Sequence, residues 1–337
     1  MSGFRIGDIN IGTNDDCYVI AEAGSNHEQA KKNAFDLIDV AADANANAVK
    51  FQLFKANTLY SKFIDPETFN QTKKAELPHE WVPELIDRCK SRDITFLATP
   101  FDVESIDYLR GVDIPAVKWA SGELNNLRLL SYAASLGRPM LIATGMSNLG
   151  DVELAIHTVK QAGNLGIALL HCISIYPTET SDANLRMMDT LAEAFNYPVG
   201  FSDHTLGISV ALAAVARGAK IIEKHFTLDR HIDSPDHPFS LRPVELKQLV
   251  RSIREVSSSL GTKTKHSIEN ERKFAAYGRR SLVASESIPK GTKLTENMIS
   301  SKRPGTGIPP QYFSLVVGRI LSKDITQDES ILWDHLI

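Results

Sequence analysis

The chain has 337 residues, of which 43% are hydrophobic, and a formal net charge of −4. Such a length fits a large domain with a small appendage, and the apolar share supplies a substantial core. The weak acidity offers no electrostatic case for nucleic acid or an anionic membrane. No apolar run approaches a bilayer span, and MSGFRIGDIN lacks the basic-then-apolar pattern of a signal peptide, so a cytoplasmic location is expected.

In chain order, eight short apolar runs recur: Tyr18–Glu22, Ala48–Gln52, Thr95–Pro100, Ala116–Ser121, Pro139–Gly145, Ile167–Cys172, Pro198–His204 and Ala219–His225. Segments with helical period lie between them, as in Ala34–Ala44, Glu84–Cys89, Leu127–Ser135, Val152–Gln161 and Ile208–Ala216. Gly137 and Gly218 close two of these helices. Alternating strands and helices predict parallel βαβ units, and eight of them predict an α/β fold, a (β/α)8 barrel. The polar stretch from Lys55 to Trp81 follows the second strand on the expected active-site side and is read as a possible lid. Cys17, Cys89 and Cys172 lack metal-type spacing and read as reduced core thiols.

The barrel is expected to occupy residues 1–262, its last helix near Val244–Leu260, with a polar linker at 263–280. Beyond it, residues 281–337 change style to short β-like runs and tight turns, with Pro289-Lys290-Gly291 as a turn signal. This tail reads as a second small domain with little core of its own, expected to dock on something larger.

Polar residues collect at the strand ends, where such a barrel places its chemistry. Lys50 and Lys118 interrupt apolar strands, where an unpaired ammonium is costly. Either they pair with Glu22 or Glu223, or they hold a phosphate or carboxylate, with Thr99, Ser121, Thr144 and Ser202 as hydroxyl donors. Glu22 is either a structural ion partner or a general acid/base carboxylate. Asn26 and His27 share its loop as supporting groups. His204 and His225 follow adjacent strands, so their imidazoles can converge on one divalent cation with positions left for substrate. Lys224 should face the other way, towards helices or solvent. Two loops offer groups for polyol hydroxyls: Ser174, Tyr176 and Glu179 in one, Asp233, Asp236 and His237 in the other.

Taken in order, IAEAGSNH, VKFQ, ATPFD, KWASGELNN, ATGMS, LHCISIYPT, GFSDHTLG and EKHFTLD resemble the sialic acid synthase family, the phosphoenolpyruvate-dependent nonulosonic acid synthases. RRSLVA, IPKGT and KRPGTGIPP resemble that family's C-terminal antifreeze-like (SAF) domain. The resemblance covers nearly the whole chain. It implies a (β/α)8 barrel followed by the SAF domain, in a homodimer whose SAF domain caps the partner's active site. It also implies condensation of phosphoenolpyruvate with an N-acyl hexosamine and release of phosphate. By resemblance, Glu22 is catalytic; Lys50, Thr99, Lys118, Ser121, Ser174 and Ser202 hold phosphoenolpyruvate; Gln52, Tyr176 and Asp236 hold the sugar; and Arg303 reaches its N-acyl end from the partner subunit. His204 and His225 become ligands of a divalent metal, Mn²⁺ first, with Mg²⁺ or Co²⁺ as alternatives.

Two positions depart from the pattern of bacterial N-acetylneuraminate synthases: Ala143 stands for an expected Ser and Ser174 for an expected Asn. The loop around Ser174 and the KRPGTGIPP segment are closer to legionaminic, pseudaminic or spore-coat sugar synthases. The alternative enzyme class is a 3-deoxy-octulosonate phosphate synthase or another metal-dependent barrel aldolase, but no extra basic cluster marks a second phosphate site. An ice-binding role is disfavoured by Lys302, Arg303 and Lys323 in the tail, and a non-catalytic carbohydrate-binding barrel by the presence of Glu22, both lysines and both histidines.

Overall fold

A computed structural model describes residues 3–12, 16–164, 166–229, 236–262, 264–265 and 268–337. The chain divides into two compact units, Met1–Gly261 and Thr262–Ile337.

The first unit is a closed barrel of eight parallel strands. They are β1 (Tyr18–Gly24), β2 (Ala48–Leu53), β3 (Thr95–Pro100), β4 (Val117–Trp119), β5 (Met140–Ala143), β6 (Ile167–Cys172), β7 (Val199–Asp203) and β8 (Ile221–His225). Each strand pairs with the next in sequence, and β8 closes on β1. The helices that cover it are α1 (Lys31–Asp43), α2 (Val82–Ser91), α3 (Val103–Arg110), α4 (Leu127–Ala134), α5 (Leu149–Gln161), α6 (Met187–Phe195), α7 (Ser209–Ala216) and α8 (Pro243–Ser259). Each predicted strand and each predicted helix named above has its counterpart, with shifts at the ends.

Local chemistry fixes those ends. Asp102 caps α3 by accepting from the Ser105 N–H, and Asn148 with Asp151 forms a reciprocal cap on α5. Gly218, at φ +106°, turns the chain out of α7 where a Cβ would be strained. In α1, Ala34, Leu37, Ile38 and Ala41 form the buried stripe, the spacing expected of a helix lying on a sheet.

Strand residues alternate between two cores. Val49, Phe51, Phe96, Trp119, Leu169 and Phe201 point outward and pack under the helices. Tyr18, Ile20, Ala48, Leu97, Leu141, Leu170 and Ile221 point inward and fill the barrel. A short hairpin, Phe4–Ile6 and Ile9–Ile11, adds Ile6 and Ile11 to this inner core beside the first residues of the strands. The axis is therefore packed at one end and polar at the other.

The stretch from Lys55 to Trp81 forms two short helices, Ala56–Leu59 and Pro66–Lys73, and a final 3₁₀ turn at His79–Trp81. Asp102 ties down its start by accepting from Lys55 N and Thr58 Oγ1. Among the described residues, no helix is long and apolar enough to cross a membrane.

The second unit begins with α9 (Glu269–Gly278), inside the span expected to be plain linker. None of its residues is buried, and Phe274 and Tyr277 are exposed, so it carries no apolar stripe by which the sequence would announce it. Then β9 (Ser281–Ala284) pairs antiparallel with β10 (Ile299–Lys302). Leu282, Ile288, Leu294, Ile308, Val316, Leu321, Ile325 and Ile331 form a core of its own.

Gly200 is a tightly enclosed inward position of the barrel. A Cβ there would lie 2.4 Å from the Ile221 carbonyl oxygen and 2.6 Å from Leu170 Cδ2. Gly200→Ala is expected to cost about 2 kcal/mol of overpacking, read as a lowered urea-unfolding midpoint. An unchanged midpoint would contradict this packing.

Candidate active site

The polar end of the barrel opens into a cavity of about 330 Å³. Its wall includes Glu22, Lys50, Gln52, Thr99, Lys118, Ser121, Ser174, Tyr176, Ser202, His204 and His225. These are the site residues implied by the family resemblance except Asp236 and Arg303. Inward parity explains most of the gathering: Glu22 continues the series Tyr18, Ile20, and Lys50 and Gln52 continue from Ala48.

An ion cluster forms the base of the cavity. Lys50 Nζ lies 2.7 Å from Glu22 Oε2 and 3.7 Å from Glu223 Oε2. It also donates to Thr99 Oγ1 at 2.8 Å. Lys118 Nζ lies 3.4 Å from Glu223 Oε1, which accepts from Ser202 Oγ at 2.9 Å. Gln52 Nε2 donates to Glu22 Oε1 at 2.8 Å. All four charged side chains are buried. Burial alone would lower the Lys50 pKa, but Glu22 and then Glu223 outweigh it and hold the ammonium above its usual range. Burial likewise pushes Glu223 up, but Lys118 and Lys50 hold its carboxyl well below the usual range. The ion-pair reading of the two lysines is thus realised, while both ammoniums remain on the cavity wall.

Two serines approach one backbone point. Ser121 Oγ accepts from Gly145 N at 3.0 Å. A Cβ on Gly145 would come within 2.4 Å of Ser174 Oγ and 2.8 Å of Ser121 Oγ, so glycine is required for both hydroxyls to close in. Ala143 stands on the same wall without a polar group.

His204 and His225 lie side by side, ring centroids 5.4 Å apart. His204 Nδ1 lies 2.9 Å from the Ile173 carbonyl oxygen; donation from Nδ1 leaves Nε2 as the lone-pair nitrogen. His225 Nδ1 is buried without a hydrogen bond, 3.5 Å from Asp236 Oδ2. Tyr176 packs on His204 at 4.2 Å between centroids, and Phe239 packs on His225 at 5.1 Å. Two imidazoles with one unsatisfied nitrogen suit a borderline divalent cation. Among the described residues, no group of three or more His, Cys, Asp or Glu is placed to hold a metal. Any metal held here would therefore have to rely on the histidine pair for its protein donors.

Asp236 meets His225 instead of the cavity wall. Arg303 is exposed in the second unit, next to β10. Asp233 lies outside the described residues. Thr144 is buried and donates to the Leu170 carbonyl oxygen, away from the cavity wall. Lys224 faces outward as expected but is buried, not solvated, in an ion pair with Asp203. Cys172, read as a plain core thiol, lines the cavity with Sγ 3.8 Å from His204 Nδ1. Tyr60, Phe101, Met146 and Glu223 also line it and were not singled out as ligand-binding residues. For Glu223 the signal was present, since it shares inward parity with His225.

Residues 37–265 match the model of the NeuB family, and residues 279–337 match the SAF domain. An N,N'-diacetyllegionaminic acid synthase of Legionella pneumophila is 40% identical, covering 96% of each chain. Its Campylobacter jejuni counterpart is also 40% identical, over 93% of this chain and 98% of its own. The crystal structure of an N-acetylneuraminic acid synthetase from Leptospira borgpetersenii superposes with a TM-score of 0.77 at 36% identity, covering 81% of this chain and 94% of that one.

Because folding lowers the Glu223 pKa, its stabilising contribution is complete above the ordinary glutamate value of 4.5 and is lost as pH falls below it. Glu223→Gln leaves Lys118 and Lys50 short of a counter-charge, at a cost of about 3 kcal/mol at neutral pH. Urea unfolding should show that the variant loses less stability than the parent on acidification. Parallel losses would contradict the assigned ion cluster.

Proposed function

The chain belongs to the NeuB family and carries a C-terminal SAF domain, and from that premise we propose that it is a nonulosonic acid synthase joining phosphoenolpyruvate to an open-chain N-acyl hexosamine with release of phosphate. The observation that carries this reading is one cavity holding two buried ammoniums, several hydroxyls, a paired glutamate and a histidine pair. Lysine point charges with hydroxyl donors suit a small phosphorylated carboxylate. A diacetylated product requires two acetamido groups on the acceptor, because phosphoenolpyruvate contains no nitrogen. The names of the two 40% identical relatives therefore favour a 2,4-diacetamido-2,4,6-trideoxy hexose over N-acetylmannosamine.

In this reaction Lys50 and Lys118 hold the phosphoenolpyruvate charges, with Thr99, Ser121, Ser174 and Ser202 donating to its oxygens. Gln52 and Tyr176 orient the acceptor, fixing its aldehyde carbon for attack by phosphoenolpyruvate C3. His204 and His225 would hold a divalent cation, Mn²⁺ first with Mg²⁺ or Co²⁺ as alternatives, which would supply Lewis acidity for the carbonyl chemistry. The new C–C bond takes the enol electron pair, and the aldehyde oxygen gains a proton to become a hydroxyl. Water adds at C2 while Glu22 accepts its proton. Phosphate then leaves C2 with the electrons of the C–O bond and takes up the proton of the C2 hydroxyl, whose oxygen becomes the keto group. In a homodimer, Arg303 from a second copy completes the acceptor site.

Phosphate should be released only when phosphoenolpyruvate, an N-acyl hexosamine and Mn²⁺ are all present. No release across a panel spanning N-acetylmannosamine and diacetamido-trideoxy hexoses would sink the proposal. His204→Ala should abolish metal-dependent turnover. Arg303→Ala should raise the acceptor KM about tenfold or more, the effect of losing one charge-assisted hydrogen bond, without changing Mn²⁺ binding. Unchanged acceptor kinetics would remove Arg303 from the site.

A further inference from the structure

Outward-facing barrel residues are apolar almost throughout, with Val199, Phe201 and Ile222 serving β7 and β8. At the last outward positions of these two strands the rule breaks. Asp203 and Lys224 are register neighbours, both about 1% exposed. Lys224 Nζ lies 2.7 Å from Asp203 Oδ2 and also donates to the Thr205 carbonyl oxygen. Asp203 Oδ1 accepts from both Thr205 N and Thr205 Oγ1, each at 2.8 Å.

Such a pair is an inefficient way to stabilise a fold. Burying two charges costs several kcal/mol, and well-packed apolar residues of similar volume commonly do as well or better. What the pair fixes is geometry. His204 lies between Asp203 and Thr205, and both neighbours are held by this network. His225 directly follows Lys224 on the adjoining strand. The Thr178 N–H bonds the His204 carbonyl oxygen at 3.0 Å, completing the clamp on that residue's backbone. The two imidazoles project to the opposite side from Asp203 and Lys224, into the cavity.

We infer that the buried Asp203–Lys224 pair is a positioning device: it locks the ends of β7 and β8 so that His204 and His225 converge on one cation. This rests on the proposed metal role of the two histidines. Neither Asp203 nor Lys224 touches the substrates; each acts through the histidine beside it. Supporting residues of this kind typically contribute ten- to a hundred-fold to metal affinity, roughly the effect expected here.

The test is Mn²⁺ binding to the full-length protein without substrates, followed by electron paramagnetic resonance, together with metal-free thermal unfolding. Asp203→Leu/Lys224→Met should unfold at or above the parent temperature in chelator, yet bind Mn²⁺ about tenfold or more weakly. Parental affinity in a folded double variant overturns the inference. If the double variant does not fold, Asp203→Asn replaces it, since the amide oxygen still accepts from Thr205 while the charge is gone. Weakened Mn²⁺ binding in that variant supports the inference, and parental binding overturns it. His204→Ala separates the two levels of the argument. Parental Mn²⁺ affinity in His204→Ala overturns the metal role itself and the positioning role with it. Loss in His204→Ala with retention in the pair variants overturns only the positioning role.

Discussion

Burial of Lys50, Lys118, Glu22 and Glu223 at one end of a closed barrel is the constraint on which the rest of the structure depends. Isolated, each charge would be prohibitively expensive there; together they are tolerable because every ammonium has a carboxylate within 3.7 Å. That arrangement requires register. Glu22 is opposite Lys50, His225 is opposite Glu22, and Glu223 is opposite Ser202. A slip of one residue in β1, β2 or β8 would turn a charged residue outward under the helices and bring an apolar one in. The apolar half of the axis, sealed by Ile6 and Ile11 of the hairpin, enforces the same register from the other end.

The cluster also has a consequence for the proposed chemistry. Its two ammoniums are formally balanced by Glu22 and Glu223, so an arriving dianion must compete with carboxylates already in place. Glu223 is anchored from two sides, by Lys118 and by the Ser202 hydroxyl. Glu22 is held by Lys50 and by the neutral amide of Gln52. A phosphate or carboxylate drawn to Lys50 therefore weakens the hold on Glu22 more than the hold on Glu223. On the proposed reaction, occupancy of the donor site loosens the very carboxylate that must take a proton from water.

The barrel was legible because the sequence repeats one pattern eight times, and because period-two alternation carries the candidate site groups inward without knowledge of any loop. Lys50, Lys118, Glu22, His204 and His225 followed from that pattern. Cys172 did not, since a thiol at an inward strand end looks the same whether it faces core or cavity. Glu223 was recognised as an ion partner, but parity alone does not say that the partner lines the cavity. The helix Glu269–Gly278 was missed because it buries nothing. The contact of Asp236 with His225 depends on how the chain after β8 folds back, which no local pattern encodes.

The charge inventory of the cavity also bears on the acceptor. Among the described residues lining it, the ammoniums are Lys50 and Lys118, and both already face carboxylates. One phosphorylated carboxylate makes use of both. An acceptor with its own phosphate would need a further cation, and the remaining wall offers hydroxyls, an amide, aromatic rings and Met146. Tyr60, Phe101 and Met146 present apolar surface, which costs a neutral deoxy sugar little and a second dianion a great deal. On the proposed reaction, the described barrel wall by itself suits an unphosphorylated acceptor better than a phosphorylated one.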